Sequence, residues 1–216
     1  MTIQRSNRSQ ALLLLAGTLT FALPGLATQG YVQHNLVSDI AGLADRTDTN
    51  LVNAWGIVHG ATSPWWVNAN GTGLSLVFDG NGTAFPAASP IVVTVPPPGA
   101  TGTSAPTGIV FNGTTDFEVA PTLPARFIFV TEDGTISAWN PTVDPAHAIL
   151  KADHSPGALY KGVTLGSMNG QNVLYVANFR GGTVDVFDKN FNLVAMPAGS
   201  FKDPTAPQGF APFNVE

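Results

Sequence analysis

The chain has 216 residues with 23 glycines and 17 prolines, only 11% charged residues and a net charge of −5, a turn-rich, charge-poor composition that excludes coiled coils and long helical bundles. A hydrophobic fraction of 44% excludes a disordered chain, and the lack of a Lys/Arg cluster excludes a nucleic-acid binder. Zero cysteines leave the fold to its hydrophobic core and remove thiol nucleophiles and Cys-ligated zinc.

The chain opens on a leader pattern. Arg5 and Arg8 form a basic region, and Ala11 to Leu23 is an uncharged run of 13 residues. Pro24 and Gly25 break that run, and Gly25-Leu26-Ala27 places small residues where a signal peptidase reads. A membrane span needs about 20 apolar residues, so residues 1–27 are expected to be a cleaved signal peptide rather than an anchor. Residues 28–216 are then an exported domain, periplasmic, extracellular or at the cell envelope. Past Ala27 no stretch is apolar enough to cross a bilayer as a helix, so no transmembrane segment is expected. The Asn-Gly-Thr tripeptides at Asn70, Asn81 and Asn112 read as tight turns, for which Asn-Gly is the commonest dipeptide.

Three pieces recur in the same order along the mature chain. The first is a Gly followed by an apolar strand, at Trp55-Gly56-Ile57-Val58, Thr107-Gly108-Ile109-Val110-Phe111 and Lys161-Gly162-Val163-Thr164-Leu165, with a fourth copy opening at Gln208-Gly209-Phe210. These copies lie 52, 54 and 47 residues apart. The second is an aromatic-Val step at Trp66-Val67, Phe129-Val130 and Tyr175-Val176. The third is a Gly, four residues, an aromatic and then Asp or Asn: Gly73 to Phe78-Asp79, Gly134 to Trp139-Asn140 and Gly182 to Phe187-Asp188. A further apolar run closes each unit, at Ile91 to Val95, His147 to Lys151 and Leu193 to Met196. Four short strands in about 50 residues, separated by Gly, Asn and Asp turns, predict all-β architecture with four-stranded antiparallel β-propeller blades. The Gly of each first strand suits a place where backbones crowd, and the aromatic before Asp or Asn is expected to pack between neighbouring blades. A β-sandwich is the alternative, but it gives no reason for aromatics to recur in register.

The run Leu174-Tyr-Val-Ala-Asn178 to Val186-Phe187-Asp188 resembles a repeat of the YVTN and NHL propeller families. The wider pattern is similar to an uncharacterised family of exported bacterial propellers often found with a PEP-CTERM sorting tail. Its landmarks here are Asn35-Leu36-Val37-Ser38-Asp39, Asn50 to Trp55-Gly56, and Gly209-Phe210 to Phe213-Asn214. The resemblance implies a fold and an address, and no established activity. Propellers of this kind close with about six blades, whereas residues 28–216 supply about three blades and the first strand of a fourth. The expectation is therefore an incomplete ring in a truncated chain, with Tyr31 to Ile40 as an outer strand whose blade is missing. Open blade edges of this kind favour self-association.

Loops between the second and third strands hold Asn68, Asn70, Glu132, Asp133, Asn178 and Arg180, the candidate contacts for a small polar ligand or a protein partner. The alternative for these residues is turn chemistry. Lys161 and Arg180 could attract an anionic sugar or a peptide carboxylate if they share a face; otherwise they are solvated charges.

The enzymatic alternative is a metal-dependent lactonase or hydrolase. Gluconolactonase-like propellers hold a divalent cation at the axis with acidic and Asn side chains, some just before the first-strand Gly. Those positions are here Trp55, Thr107, Lys161 and Gln208, none of them a carboxylate, and a hard cation wants charged oxygen ligands. His34, His59, His147 and His154 are dispersed. The adjacent Asp153-His154-Ser155 cannot converge as a triad. Asp79-Gly-Asn-Gly-Thr83 opens like a calcium loop but lacks the later bidentate Glu. Pro96 to Pro106 reads as the link between the first and second units. No catalytic residue, metal or cofactor is assigned, and the expected function is a non-catalytic exported binding or interaction module.

Overall fold

Short β-branched and aromatic runs closed by Gly, Asn or Asp turns fold as strands, and strands joined by turns and loops, with one 3₁₀ turn, make up the described residues. The computed structural model describes residues 31–216, so the expected leader, residues 1–27, lies outside the described residues. The chain divides at Gln33, and the unit His34–Glu216 carries the fold.

Strands β1 (Val37–Ser38) and β2 (Arg46–Thr47) form a small parallel pair. Strands β3 (Ala54–Val58), β4 (Trp65–Ala69), β5 (Leu74–Phe78) and β6 (Val92–Thr94) form the first four-stranded antiparallel sheet. A 3₁₀ turn at Pro98–Ala100 lies within the proline-rich link to β7 (Pro106–Phe111). The hairpin β8 (Glu118–Ala120) and β9 (Leu123–Pro124) intervenes before β10 (Phe127–Thr131), β11 (Thr135–Trp139) and β12 (Ile149–Asp153), which join β7 in the second four-stranded sheet. The third comprises β13 (Tyr160–Met168), β14 (Gln171–Asn178), β15 (Thr183–Phe187) and β16 (Leu193–Val194). The described residues are thus all-β, and among them are three four-stranded antiparallel sheets and no closed ring.

The sheets stack face to face, and side-chain alternation divides the core between them. Between the first and second sheets lie Trp66, Val77, Ile109, Phe127, Phe129 and Trp139. Trp66 stacks on Phe127 at 4.2 Å between ring centroids and meets Trp139 at 4.8 Å. Between the second and third lie Ile128, Val130, Tyr160, Val163, Leu174 and Phe187. Strand β10 sends Phe127 and Phe129 one way and Ile128 and Val130 the other, and all five of its residues are buried. That is why it reads as an unbroken apolar run rather than an alternating one.

The glycines of the first strands crowd as expected. A Cβ on Gly56 would strike the Thr107 carbonyl and Ile109, and one on Gly108 would come within 2.9 Å of the Val163 nitrogen and 3.0 Å of the Lys161 oxygen. Trp139 and Phe187, the aromatics before Asn140 and Asp188, pack between neighbouring sheets. Asp79, Asn140 and Asp188 each accept backbone N–H groups two residues on, at 2.8, 2.9 and 2.8 Å, the Asx-turn chemistry that ends each third strand.

Three expectations are corrected. Ile57 pairs with Val67, Ile109 with Phe129, and Val163 with Val176, so Phe129 corresponds to Val67 and Val176, not to Trp66 and Tyr175. The aromatic-Val step is out of register by one residue in the second sheet, and a slip of one residue reverses the face. No strand follows β16 among the described residues, and Gln208-Gly209-Phe210 is exposed. Instead Asn214 and Val215 lie against Gly162, and Asn214 is 52 residues beyond Gly162. Finally, Tyr31 to Ile40 forms no long outer strand. Only Val37–Ser38 is extended into pairing, with Arg46–Thr47, and Val37 packs against Phe78 and Leu76 on the free face of the first sheet.

Candidate functional site

Because β3, β7 and β13 lie side by side and the 213–215 segment follows them, the residues preceding the crowded glycines meet at one end of these strands. Trp55, Thr107, Lys161 and Phe213 all line a cavity of about 650 Å³ there. The cavity floor is apolar, with Ile109 and Val163 among its residues.

Lys161 is the centre of the arrangement. Its ammonium pairs with the Glu132 carboxylate and sits 4.4 Å from the centroid of Trp55 and 5.3 Å from that of Phe213. The aromatic faces add cation–π attraction in a setting that removes water, since the lysine side chain is only 9% exposed. The second Glu132 oxygen accepts a 3.3 Å hydrogen bond from the Asn70 amide, whose oxygen accepts in turn from Asn53 at 3.0 Å. Burial raises the pKa of Glu132, but hydrogen bonds from Lys161 and Asn70, with the lysine charge, outweigh it and hold the carboxyl below its ordinary value. Glu132 is therefore ionised at neutral pH and is no general acid there. What the cluster offers a ligand is a half-exposed indole face, a polar rim and a fixed ion pair.

The other expected contacts serve the fold. Asn68 is fully buried and donates to the carbonyls of Thr107 and Gly108 at 3.0 and 3.2 Å, tying the first sheet to the second. Asp133 accepts from the Ala105 nitrogen at 2.8 Å. Asn178 accepts from Leu159 and Gly181 and donates to Asp185. Arg180 donates to the Pro156 and Ala158 carbonyls, so it steadies the loop before β13 and shares no contact with Lys161. Of the six loop residues, the structure brings only Asn70 and Glu132 together.

Thr107 is also committed, since its hydroxyl donates to the Tyr160 carbonyl at 2.8 Å. Tyr160 is buried, and burial first, then the nearby Asp185 carboxylate, pushes its phenol above the ordinary range. The histidines stay apart: His34 pairs with Asp45, His147 with Asp144, His59 packs on Trp65, and His154 on Phe187. Among the described residues no three His, Cys, Asp or Glu side chains are grouped so as to hold a metal. Asp79 is engaged with the nitrogens of Asn81 and Thr83 in its own turn.

Sequence reasoning missed Phe213 because it placed the fourth first-strand segment at Gln208. The spacing was the signal that would have found it: Asn214 lies 52 residues beyond Gly162, in line with the earlier steps of 52 and 54, whereas Gly209 lies only 47 beyond. Trp55 was noted for not being a carboxylate, and its part as a wall for Lys161 needed the third dimension.

No protein-family model matches the chain. It is similar to three proteins of Acanthamoeba polyphaga mimivirus, all described as uncharacterized. Protein L690 is 29% identical over 201 residues, covering 89% of this chain and 51% of the relative. Protein R648 is 33% identical over 187 residues, covering 83% and 44% respectively, and protein R640 is 35% identical over 97 residues. The chain spans about half the length of the first two.

Proposed function

We propose that the three sheets are blades of an exported β-propeller of the YVTN and NHL type, acting as a non-catalytic binding module. Its ligand site is the cavity at the end of the first strands. Support for the blade reading comes from the shared connectivity of the sheets and the crowding at Gly56 and Gly108. The observation that carries the binding reading is the convergence of Trp55, Lys161 and Phe213 on one cavity, with Glu132 paired to the lysine.

The chemistry suits a small polar ligand with hydroxyls and a carboxylate, such as a sugar acid or a peptide terminus. An apolar ring face would lie on Trp55. The carboxylate would share the Lys161 ammonium with Glu132, and Asn70 would answer a hydroxyl. Calorimetric titration with a hexuronic acid, a neutral hexose and a dipeptide tests this. Binding of an acidic ligand that is lost in Trp55→Ala supports the reading; no binding, or binding unchanged in that variant, overturns it.

A further inference from the structure

The aromatic core between the first and second sheets comes to the surface at the end of the strands opposite Trp55 and Thr107. There Phe111 closes β7, Phe127 opens β10 and Trp139 closes β11, and with Phe85 from the β5–β6 connection they line a cavity of about 290 Å³. Its floor is Trp66, Phe127 and Trp139, none more than 4% exposed. Its sides are Phe85, 40% exposed, and the half-buried Phe111. Trp66 stacks on Phe127, and Phe111 meets Phe127 edge-on at 5.5 Å, so the floor is fixed by its own packing before any ligand enters.

Two donors interrupt this aromatic lining. The Trp139 indole N–H is buried without an acceptor, an unfavourable state for a polar group removed from water. Arg126, exposed at the rim, lines the same cavity, and its backbone nitrogen donates to the Trp139 carbonyl at 2.7 Å, so the two residues are neighbours across the strands. Arg46 and Arg180 donate to the Asn81 and Pro156 carbonyls. The Arg126 guanidinium, by contrast, enters none of the three ion pairs among the described residues and donates no hydrogen bond there. An aromatic box by itself suits an organic cation. Here no Asp or Glu lines the cavity, and a free guanidinium beside it selects against a cation and for an anion.

We propose that this cavity is a second binding site, separate from the one around Lys161, and that it takes a small aromatic carboxylate. The ring packs between Phe85 and Phe111, where offset and edge-on contacts with aromatic walls are favourable. The carboxylate stays at the rim, held by the planar fork of Arg126 and by the indole N–H of Trp139. Size agrees, because a cavity of about 150 Å³ already holds a benzene ring, which leaves space here for a short acidic arm. Walls fixed in advance keep the ordering cost of binding low. The site owes nothing to Lys161 or Glu132, neither of which lines it.

Calorimetric titration with phenylacetate, benzyl alcohol and benzylamine tests this, since the three share a ring and differ in charge. Phenylacetate is expected to bind more tightly than the other two. Arg126→Gln is expected to weaken it about tenfold and to leave benzyl alcohol unchanged, with an unaltered melting curve because the guanidinium holds no other group. Trp55→Ala is expected to leave phenylacetate binding as it is, which separates this site from the one around Lys161. A second readout needs no substitution: of the indole N–H resonances of the four tryptophans, that of Trp139 is expected to shift on titration and that of Trp55 to stay. No phenylacetate binding at millimolar concentration, tighter binding of benzylamine, affinity indifferent to Arg126→Gln or lost in Trp55→Ala, or a shift at Trp55 in place of Trp139 overturns the proposal.

Discussion

A methyl group added at Gly108 probes the contact on which the stacking of β7 and β13 depends. The new carbon would lie 2.9 Å from the Val163 nitrogen, 3.0 Å from the Lys161 oxygen and 3.0 Å from a Val130 methyl. Ordinary contact begins near 3.5 Å, so about 0.5 Å must be found on three sides at once. Two of the neighbours are backbone atoms of β13, which is paired to β14 on both sides of an irregularity between Tyr160 and Val163, and they can move only against that pairing. Overpacking of this kind costs about 1–3 kcal/mol. The change from Gly to Ala in a strand returns about 0.5–1 kcal/mol through lost freedom of the unfolded chain. The expected net loss for Gly108→Ala is about 1–2 kcal/mol, or a fall in Tm of roughly 2–8 °C for a domain of this size. Urea unfolding read by far-ultraviolet circular dichroism measures it, with an unchanged m-value showing that the denatured state is not altered. The control is Gly80→Ala, where a Cβ meets nothing within 4 Å; it is expected within about 0.5 kcal/mol of the parent. Equal stability of the Gly108 variant and its parent would refute the argument that backbone crowding fixes these glycines. Gly162→Ala is expected to cost less than Gly108→Ala, because its neighbour Asn214 lies in a segment without strands that can yield.

The same geometry yields further outcomes. Asn68→Ala removes two buried hydrogen bonds to the Thr107 and Gly108 carbonyls and is expected to cost about 2–3 kcal/mol, with Asn68→Asp costing more because it sets a buried carboxylate against those oxygens; denaturant titration ranks the three proteins. Ile109→Ala is expected to cost about 2–4 kcal/mol, and Ile57→Ala, measured on dilute protein, within about 0.5 kcal/mol, although both residues follow a first-strand glycine; equal losses would show that Ile57 is covered. The folded pKa of Glu132 lies below its ordinary value near 4.5, so the unfolded chain takes up the proton first as the pH falls. The stability given by the ion pair is complete above about pH 4.5 and is lost as the pH drops through the folded value; a melting series from pH 6 to 3 should show a shallower acid limb in Glu132→Gln than in the parent.

Much of this fold could be read from the chain because the signals were local. The Gly-aromatic-Asp pieces ending at Asp79, Asn140 and Asp188 mark third strands, since the acid or amide closes its own turn and the aromatic is buried, Trp139 and Phe187 between sheets and Phe78 on the outer face of the first. The second piece failed because Phe129 and Tyr175 look alike in sequence but face opposite ways in register. The fourth first-strand segment failed because a glycine was demanded at Gly209, where Asn214 does the crowding against Gly162. For the site, residue type alone could not separate Asn70, which reaches Glu132, from Asn68, two residues earlier, which is consumed by the Thr107 and Gly108 carbonyls. Solvent exposure was the missing variable, and it depends on which sheet stacks on which.

The segment after β16 borders the cavity around Lys161 on which binding is proposed. It has no strand pairing; Phe201 rests on Tyr175, Phe213 packs against Trp55 and Phe179 at 5.5 and 5.9 Å, and Asn214 and Val215 lie against Gly162. Segments without ladder hydrogen bonds open at lower free energy than paired strands, so this one is expected to open before any strand of the three sheets. Lifting Phe213 removes one of the two aromatic walls around Lys161. Under the proposed binding reading, a ligand resting on Trp55 and Phe213 is expected to slow that opening. Hydrogen exchange of the backbone amides of residues 210–216, measured with and without ligand, checks it: exchange unchanged on binding would refute the part given to Phe213.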